Sequence, residues 1–266
     1  MSVIHLCQPD TSKSCAACCG IYNYADNTRK SLTQRLVFRS RLFQKVKDGE
    51  ITLEQYRDVL RHKENSKRIF KTIYSCEFVG FLDQTRRKIG CMLHPIQNNG
   101  VDLREISFYG RDICEGHFCP SYEKLTEAEA KIVISVIPDW YLYGIVITDI
   151  DFVKSFFKIV QDALGESISA DAIESNHRLT SILSKYFALK TSWPFRDTGK
   201  PRFGKYFFVG EEYDVDRIDY AALGVDLHKY DSIFLSLSSA FSTKDEVNRA
   251  GLILDDIIER FCSEYR

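Results

Sequence analysis

Missing from this 266-residue chain is any apolar run that could cross a bilayer. The most apolar stretch, Ile132 to Ile150, is broken by Pro138, Asp139, Gly144 and Asp149, which would place charges and a helix breaker at bilayer depth. The opening MSVIHLCQPD has neither the charged and apolar regions of a secretory signal nor the Arg/Ser bias of a transit peptide. The expectation is a cytoplasmic protein with no membrane partner. A Ser/His/Asp arrangement, a dinucleotide fingerprint and a zincin motif are also missing, so no catalytic residue is assigned. Excess charge is missing as well: 36 Lys and Arg against 37 Asp and Glu leave a net charge of −1. The chain has no internal repeat and no low-complexity linker.

Cysteine, by contrast, is plentiful and unevenly placed. Cys7, Cys15, Cys18, Cys19, Cys76, Cys91, Cys114 and Cys119 all precede residue 120, and only Cys262 follows. In a reducing compartment such clustering points to metal ligation rather than disulfides. Buried core thiols explain it less well, because they have no reason to collect in one turn-rich half of a chain. Cys262 fits a small apolar role in a final helix. Charge divides at the same place, with 19 Lys/Arg against 13 Asp/Glu through Cys119 and 17 against 24 afterwards. With 44% hydrophobic residues the chain can fill one large core or two medium ones. Two domains are therefore expected, residues 1–124 and 125–266.

Local patterns fill in these halves. Ser31 to Lys47 reads as a basic amphipathic helix with Leu32, Leu36, Phe43 and Val46 on its apolar side, capped by Ser31 and ended by Asp48-Gly49. Thr52 to Thr72 reads as a second helix, with Thr52 and Gln55 as its capping box. Together they form a helical insertion over about residues 31–72. From Cys76 to Cys119 frequent Gly, Pro and Asn residues predict an irregular segment that needs a crosslink to hold its shape. Helices are expected at Glu127–Ile137, behind a Thr126/Glu129 capping box, and at Asp151–Leu164, Ala170–Leu189 and Thr243–Tyr265. Short strands are expected at Arg202–Val209 and Ser232–Leu237. The fold class is α+β and predominantly α-helical: a loop-rich, metal-stabilised first half with a helical insertion, and an α-rich second domain with a few short strands.

Cys15-Ala-Ala-Cys18-Cys19-Gly20 is the sharpest motif. Two intervening residues let Cys15 and Cys18 turn onto one metal, and a following glycine allows close backbone approach. Adjacent Cys18 and Cys19 cannot easily serve one tetrahedral ion together, so one of them is expected to face a second metal or a neighbouring core. CAACCG, the Cys76–Asp83 segment CEFVGFLD, Cys91-Met-Leu-His94-Pro95, and then Cys114 and Cys119 resemble the CxxCxxCC, or YkgJ-type, family of zinc- or iron-chelating cysteine-cluster proteins. The resemblance covers roughly residues 7–120 and implies a metal-chelating cluster. The family's leading cysteine position is Ser12 here, with Cys7 as its replacement, and Met92-Leu93-His94-Pro95 departs from the family's aromatic and Arg-Pro segment.

Eight thiolates suit two zinc ions, one four-iron cluster with spare cysteines, or a mixture. His94 and His117 are alternative ligands, though each reads better as a loop histidine hydrogen-bonding a thiolate or carbonyl. The expected function is a metal-binding protein with a cysteine-ligated zinc or iron–sulfur site. The alternatives are an iron–sulfur redox or maturation enzyme and a zinc-stabilised nucleic-acid or protein adaptor. Basic residues from Arg29 to Lys71 interleave with aromatics as a nucleic-acid surface does, but a solvated helical face explains them better. Thr198–Lys205 lacks P-loop spacing and reads as a turn, and Asp149 and Asp151 read as helix-start acids. Trp140, Tyr141, Tyr143 and Trp193 are expected in a core or a domain interface.

Overall fold

The computed structural model describes residues 5–64, 67–200, 202, 206–209 and 212–266. It divides into two units, Met1–Cys119 with Asp139–Gly144 and Pro120–Pro138 with Ile145–Arg266. The first boundary lies five residues before the one expected from sequence, and the segment from Asp139 returns to the first unit. The fold is α+β and predominantly helical, and among the described residues the strands form two small antiparallel hairpins.

In the first unit, α1 (Arg29–Lys47) starts ahead of Ser31 because Thr28 is the cap, its hydroxyl accepting the Ser31 amide at 3.3 Å. Helix α2 (Leu53–Lys63) opens on the full Thr52/Gln55 capping box. It stops at Lys63 rather than Thr72, a correction with a clear cause. Glu64 is extended, its carboxylate taken by Arg35 and Arg39 of α1, and the chain beyond pairs with Tyr24 through an isolated antiparallel Tyr24–Arg68 bridge. Residues 65 and 66 of that expected helix lie outside the described residues. The segment expected to be irregular contains a hairpin, β1 (Val79–Phe81) against β2 (Ile89–Cys91), with Val79 opposite Cys91, and a short helix α3 (Gly110–Gly116).

Leu32, Leu36, Arg39 and Phe43 line the buried face of α1. Phe43 meets the Tyr56 ring edge-on at 5.7 Å, and Tyr56 stacks on Phe78 at 5.4 Å. Burying such rings contributes on the order of 2 kcal/mol each. Tyrosine hydroxyls tie in the Asp139–Gly144 segment: Tyr22 donates to the Tyr141 carbonyl at 3.0 Å, Tyr141 to the Asn27 carbonyl at 2.8 Å, and Tyr143 to the Leu6 carbonyl at 2.8 Å. Trp140, Tyr141 and Tyr143 are thus buried, as is Trp193 in the second unit.

The remaining helices are α4 (Ser121–Lys124), α5 (Glu127–Val136), α6 (Trp140–Ile147), α7 (Ile150–Leu164), α8 (Ala170–Ser175), α9 (His177–Ser192), α10 (Asp231–Ser236) and α11 (Lys244–Tyr265). Helix α5 carries the expected Thr126/Glu129 box, and Thr243 caps α11. The single helix expected over Ala170–Leu189 is two, because Asn176 leaves helical geometry and its side chain accepts the Arg178 and Leu179 amides. The strand expected at Ser232–Leu237 is helix α10. Its residues Ile233 to Ser236 are all buried, and an apolar run buried on every side carries no period to separate strand from helix. In the second unit's core Phe152 stacks on Tyr186 at 4.4 Å, and Phe156 packs on both Tyr186 and Phe261. Cys262 is buried in α11, as expected.

A second hairpin pairs β3 (Tyr206–Val209) with β4 (Glu212–Val215). Residues 203–205 of the expected Arg202–Val209 strand, and residue 201 with them in the Thr198–Lys205 segment, lie outside the described residues. No helix among the described residues is long and apolar enough to cross a membrane.

Candidate metal centre

Backbone hydrogen bonds join the segments that carry Cys7 and Cys15, and those that carry Cys19 and Cys76. The Cys15 amide donates to the Cys7 carbonyl at 2.9 Å, which closes the first loop. Ala17–Cys19 forms a 3-10 turn ended by Gly20 at φ 75°, and the Cys76 amide then donates to the Cys19 carbonyl at 2.9 Å. A side chain at Gly20 would place its Cβ 2.1 Å from the Tyr74 carbonyl oxygen, so only glycine lets the Cys76 segment lie this close.

The β1–β2 hairpin is held at both edges by serines from neighbouring segments. Ser14 accepts the Ile89 amide at 2.6 Å and donates to the Ile89 carbonyl at 2.8 Å. Ser40 of α1 accepts the Phe81 amide at 2.7 Å and donates to the Phe81 carbonyl at 3.1 Å. Ser14 thereby fixes Cys15 beside the strand that ends in Cys91. Arg39 adds a further tie. Its buried guanidinium binds both oxygens of Glu64 at 2.7 and 2.8 Å, the Tyr24 hydroxyl at 2.6 Å and the Cys76 carbonyl at 2.9 Å.

The thiols differ in their neighbours. Burial, and then the Cys7 and Cys119 thiols beside it, push the Cys15 thiol well above its ordinary range. A hydrogen bond shared with Cys119, and then burial, raise Cys18 further. Burial likewise raises Cys19, but its neighbours are Cys76, Cys91 and Cys114, with Cys15 beyond them. Burial pushes Cys76 up to about 12 and Cys91 up to about 11. Cys7 and Cys119 thus lie near Cys15 and Cys18, and Cys76, Cys91 and Cys114 near Cys19, while Cys15, Cys18 and Cys19 also lie near one another.

Three of these sulfurs share a local arrangement. Cys15 accepts the Ala17 amide at 3.4 Å, and Cys76 and Cys91 accept the amides of Phe78 and Leu93. Each donor lies two residues downstream, and each favours the thiolate form. Cys114, on α3, lies 3.6 Å from the Ser107 hydroxyl. The thiols are gathered rather than drawn tight: among the described residues no three His, Cys, Asp or Glu side chains already stand in a metal-holding arrangement.

His94 is the cap of the 3-10 turn Pro95–Gln97, its Nδ1 accepting the Ile96 amide at 3.2 Å. Acceptance at Nδ1 places the proton of the neutral ring on Nε2. His117 is exposed at the end of α3. The basic helices keep much of their charge inside the unit: Arg35 and Arg39 pair with Glu64, Arg57 with Glu77, Lys45 with Glu50 and Arg61 with Asp58. Asp149 caps α7 through the Phe152 amide and also pairs with Lys190.

The different surroundings of Cys18 and Cys19 could be anticipated from their adjacency. The serine clamps on the hairpin and the Arg39 hub could not, because neither has a sequence period or motif. Comparison of the chain with protein-family models, with curated proteins and with solved structures gives no match.

Proposed function

We propose that the first unit is a cysteine-ligated metal module holding two ions, with zinc the best-fitting metal. The observation that carries this reading is that Cys7 and Cys119 lie near Cys15 and Cys18 while Cys76, Cys91 and Cys114 lie near Cys19, which on this reading gives two sets of four. Four thiolates close a tetrahedral zinc site with no position left for water, which makes the role structural rather than hydrolytic. Tetrahedral Zn–S bonds of ~2.3 Å set neighbouring sulfurs about 3.8 Å apart, a separation compatible with the hydrogen-bonded Cys18 and Cys119 thiols. A cubane iron–sulfur cluster instead holds each ligand sulfur on a different iron, which separates them more widely.

The backbone amides aimed at Cys15, Cys76 and Cys91 support the same reading, since each stabilises a thiolate ligand. The order of the cysteines, which resembles the CxxCxxCC family, agrees with it but is not needed for it. Elemental analysis of the Cys19→Ser and Cys18→Ser variants tests the division. Each is expected to lose one zinc of two, and loss of both or of neither would contradict it.

A further inference from the structure

We propose that the aromatic stack built on Tyr74 is a docking surface for single-stranded nucleic acid, with the outer face of Phe108 as the platform for a base. Phe108 stacks on Tyr74 with ring centroids 4.3 Å apart and planes 27° apart. Tyr109 meets both rings edge-on, its centroid 5.4 Å from each. The Arg68 guanidinium lies 5.3 Å from the Tyr74 centroid, within cation–π range. Tyr74 and Tyr109 are half-buried, yet Phe108 keeps 69% of its accessibility. One face of its ring is covered by Tyr74 and the other is open.

Charge selects the occupant. Between Glu64 and Glu77 the chain holds Lys67, Arg68 and Lys71 and no acid, and both lysines are exposed. Among the described residues no acid pairs with Arg68, whose Nε has no hydrogen-bond partner. The acids beside the stack are already engaged: Glu77 accepts the Tyr74 hydroxyl and pairs with Arg57 at 3.1 Å, and Glu105 accepts the Arg111 amide at 3.2 Å. This differs from α1 and α2, where much of the positive charge is paired. An open ring beside unneutralised cations matches a polymer that offers a flat base and a phosphate at each step, the two contacts on which sequence-tolerant single-strand binding rests. A duplex keeps its base faces stacked on one another, and a free nucleotide needs a concave pocket that an exposed ring does not supply. No thiol takes part, so this surface is independent of the metal reading.

The full-length protein is titrated, by fluorescence anisotropy, into a labelled oligothymidylate of about 16 nucleotides, into the matching duplex, and into the single strand with thymidine monophosphate as competitor. The single strand is expected to bind, with affinity falling as salt rises, and the duplex and the mononucleotide to bind more weakly. Phe108→Ala is expected to lose about 5- to 150-fold in affinity, the worth of one stacked base, and Phe108→Trp to retain it. Lys71→Gln is expected to lower the log–log salt slope by about 0.7. Leu252→Ala, at an exposed site in the second unit, is expected to bind as the parent does. No binding at low salt, equal binding to the duplex, or parent-like binding by Phe108→Ala would overturn the proposal. So would full competition by the mononucleotide, which assigns the face to a small ligand, or self-association that Phe108→Ala abolishes with no oligonucleotide bound, which assigns it to a second copy. Should Phe108→Ala not fold, the salt slope of Lys71→Gln decides, and a slope equal to the parent's overturns the surface.

Discussion

The amide of Cys76 donates to the carbonyl of Cys19 at 2.9 Å, joining the two cysteine-bearing segments by their backbones before any side chain is considered. The chain between them is long enough to hold α1 and α2, and those helices supply the groups that lock the join. Arg39 on α1 binds the Cys76 carbonyl, and Glu64 at the end of α2 holds Arg39 in place. The helical insertion is therefore a clamp on the cysteine-bearing segments.

Arg39→Met tests that clamp. It leaves the Glu64 carboxylate, 9% exposed, with Arg35 as its remaining cation, and frees the Cys76 carbonyl. Breaking a buried ion pair from one side costs about 3–5 kcal/mol. Urea unfolding of the first unit is expected to show a loss in that range, and a loss below ~1 kcal/mol would mean the contact is worth no more than a surface pair.

Gly20→Ala is expected to act on metal content as well as stability. A left-handed non-glycine residue costs about 1–2 kcal/mol, and the new Cβ must also push the Tyr74–Ser75 backbone away. That displacement separates Cys76 from Cys19, so under the two-zinc proposal one ion of two is expected to be lost. Retention of both ions would show that the close approach is not required.

Much of this was legible in the sequence. The Thr52/Gln55 and Thr126/Glu129 boxes and the apolar stripe of α7 follow from local rules, and the structure contains them. Local rules fail where a long-range partner decides the outcome. The second helix ends at Lys63 because Glu64 is taken by α1, Asn176 interrupts an otherwise helical pattern, and α10 is buried too completely to show a period. Of the candidate site, spacing names the eight cysteines as candidates and predicts different surroundings for Cys18 and Cys19, whose neighbouring thiols do differ. The surroundings of the other six depend on the hairpin and on the Cys7–Cys15 loop, which only the folded chain reveals.

In the second unit Lys190 is 2% exposed and is held by Asp149 at 2.6 Å and by the carbonyls of Arg202 and Ser236 at 2.6 and 2.7 Å. Burial lowers its pKa against the pull of Asp149. Lys190→Met keeps the volume but strands a buried carboxylate and two carbonyls, at a cost of about 3–5 kcal/mol. Calorimetry is expected to show a lower melting temperature with metal content unchanged, and an unaltered melt would contradict the hub.

The pH response follows from His228, whose pKa burial and then Lys229 lower from 6.5, while Asp255 and Asp231 oppose them. Its Nδ1 accepts the Tyr230 amide at 3.2 Å, and its ring faces Gly251 of α11 and packs on Tyr230 and Phe234. Because the folded value is depressed, the unfolded chain takes up its proton first as pH falls. The stability tied to neutral His228 is present above 6.5 and lost below it. Urea midpoints measured from pH 7.5 to 5 should fall, and His228→Asn should flatten part of that fall; an equal slope in both proteins would exclude His228 as the source.

Metal content of the protein purified without chelator, read by elemental analysis beside a visible spectrum, bears most directly on the central claim. Two zinc ions per chain and no colour are expected. A folded protein that holds neither zinc nor iron would contradict the account.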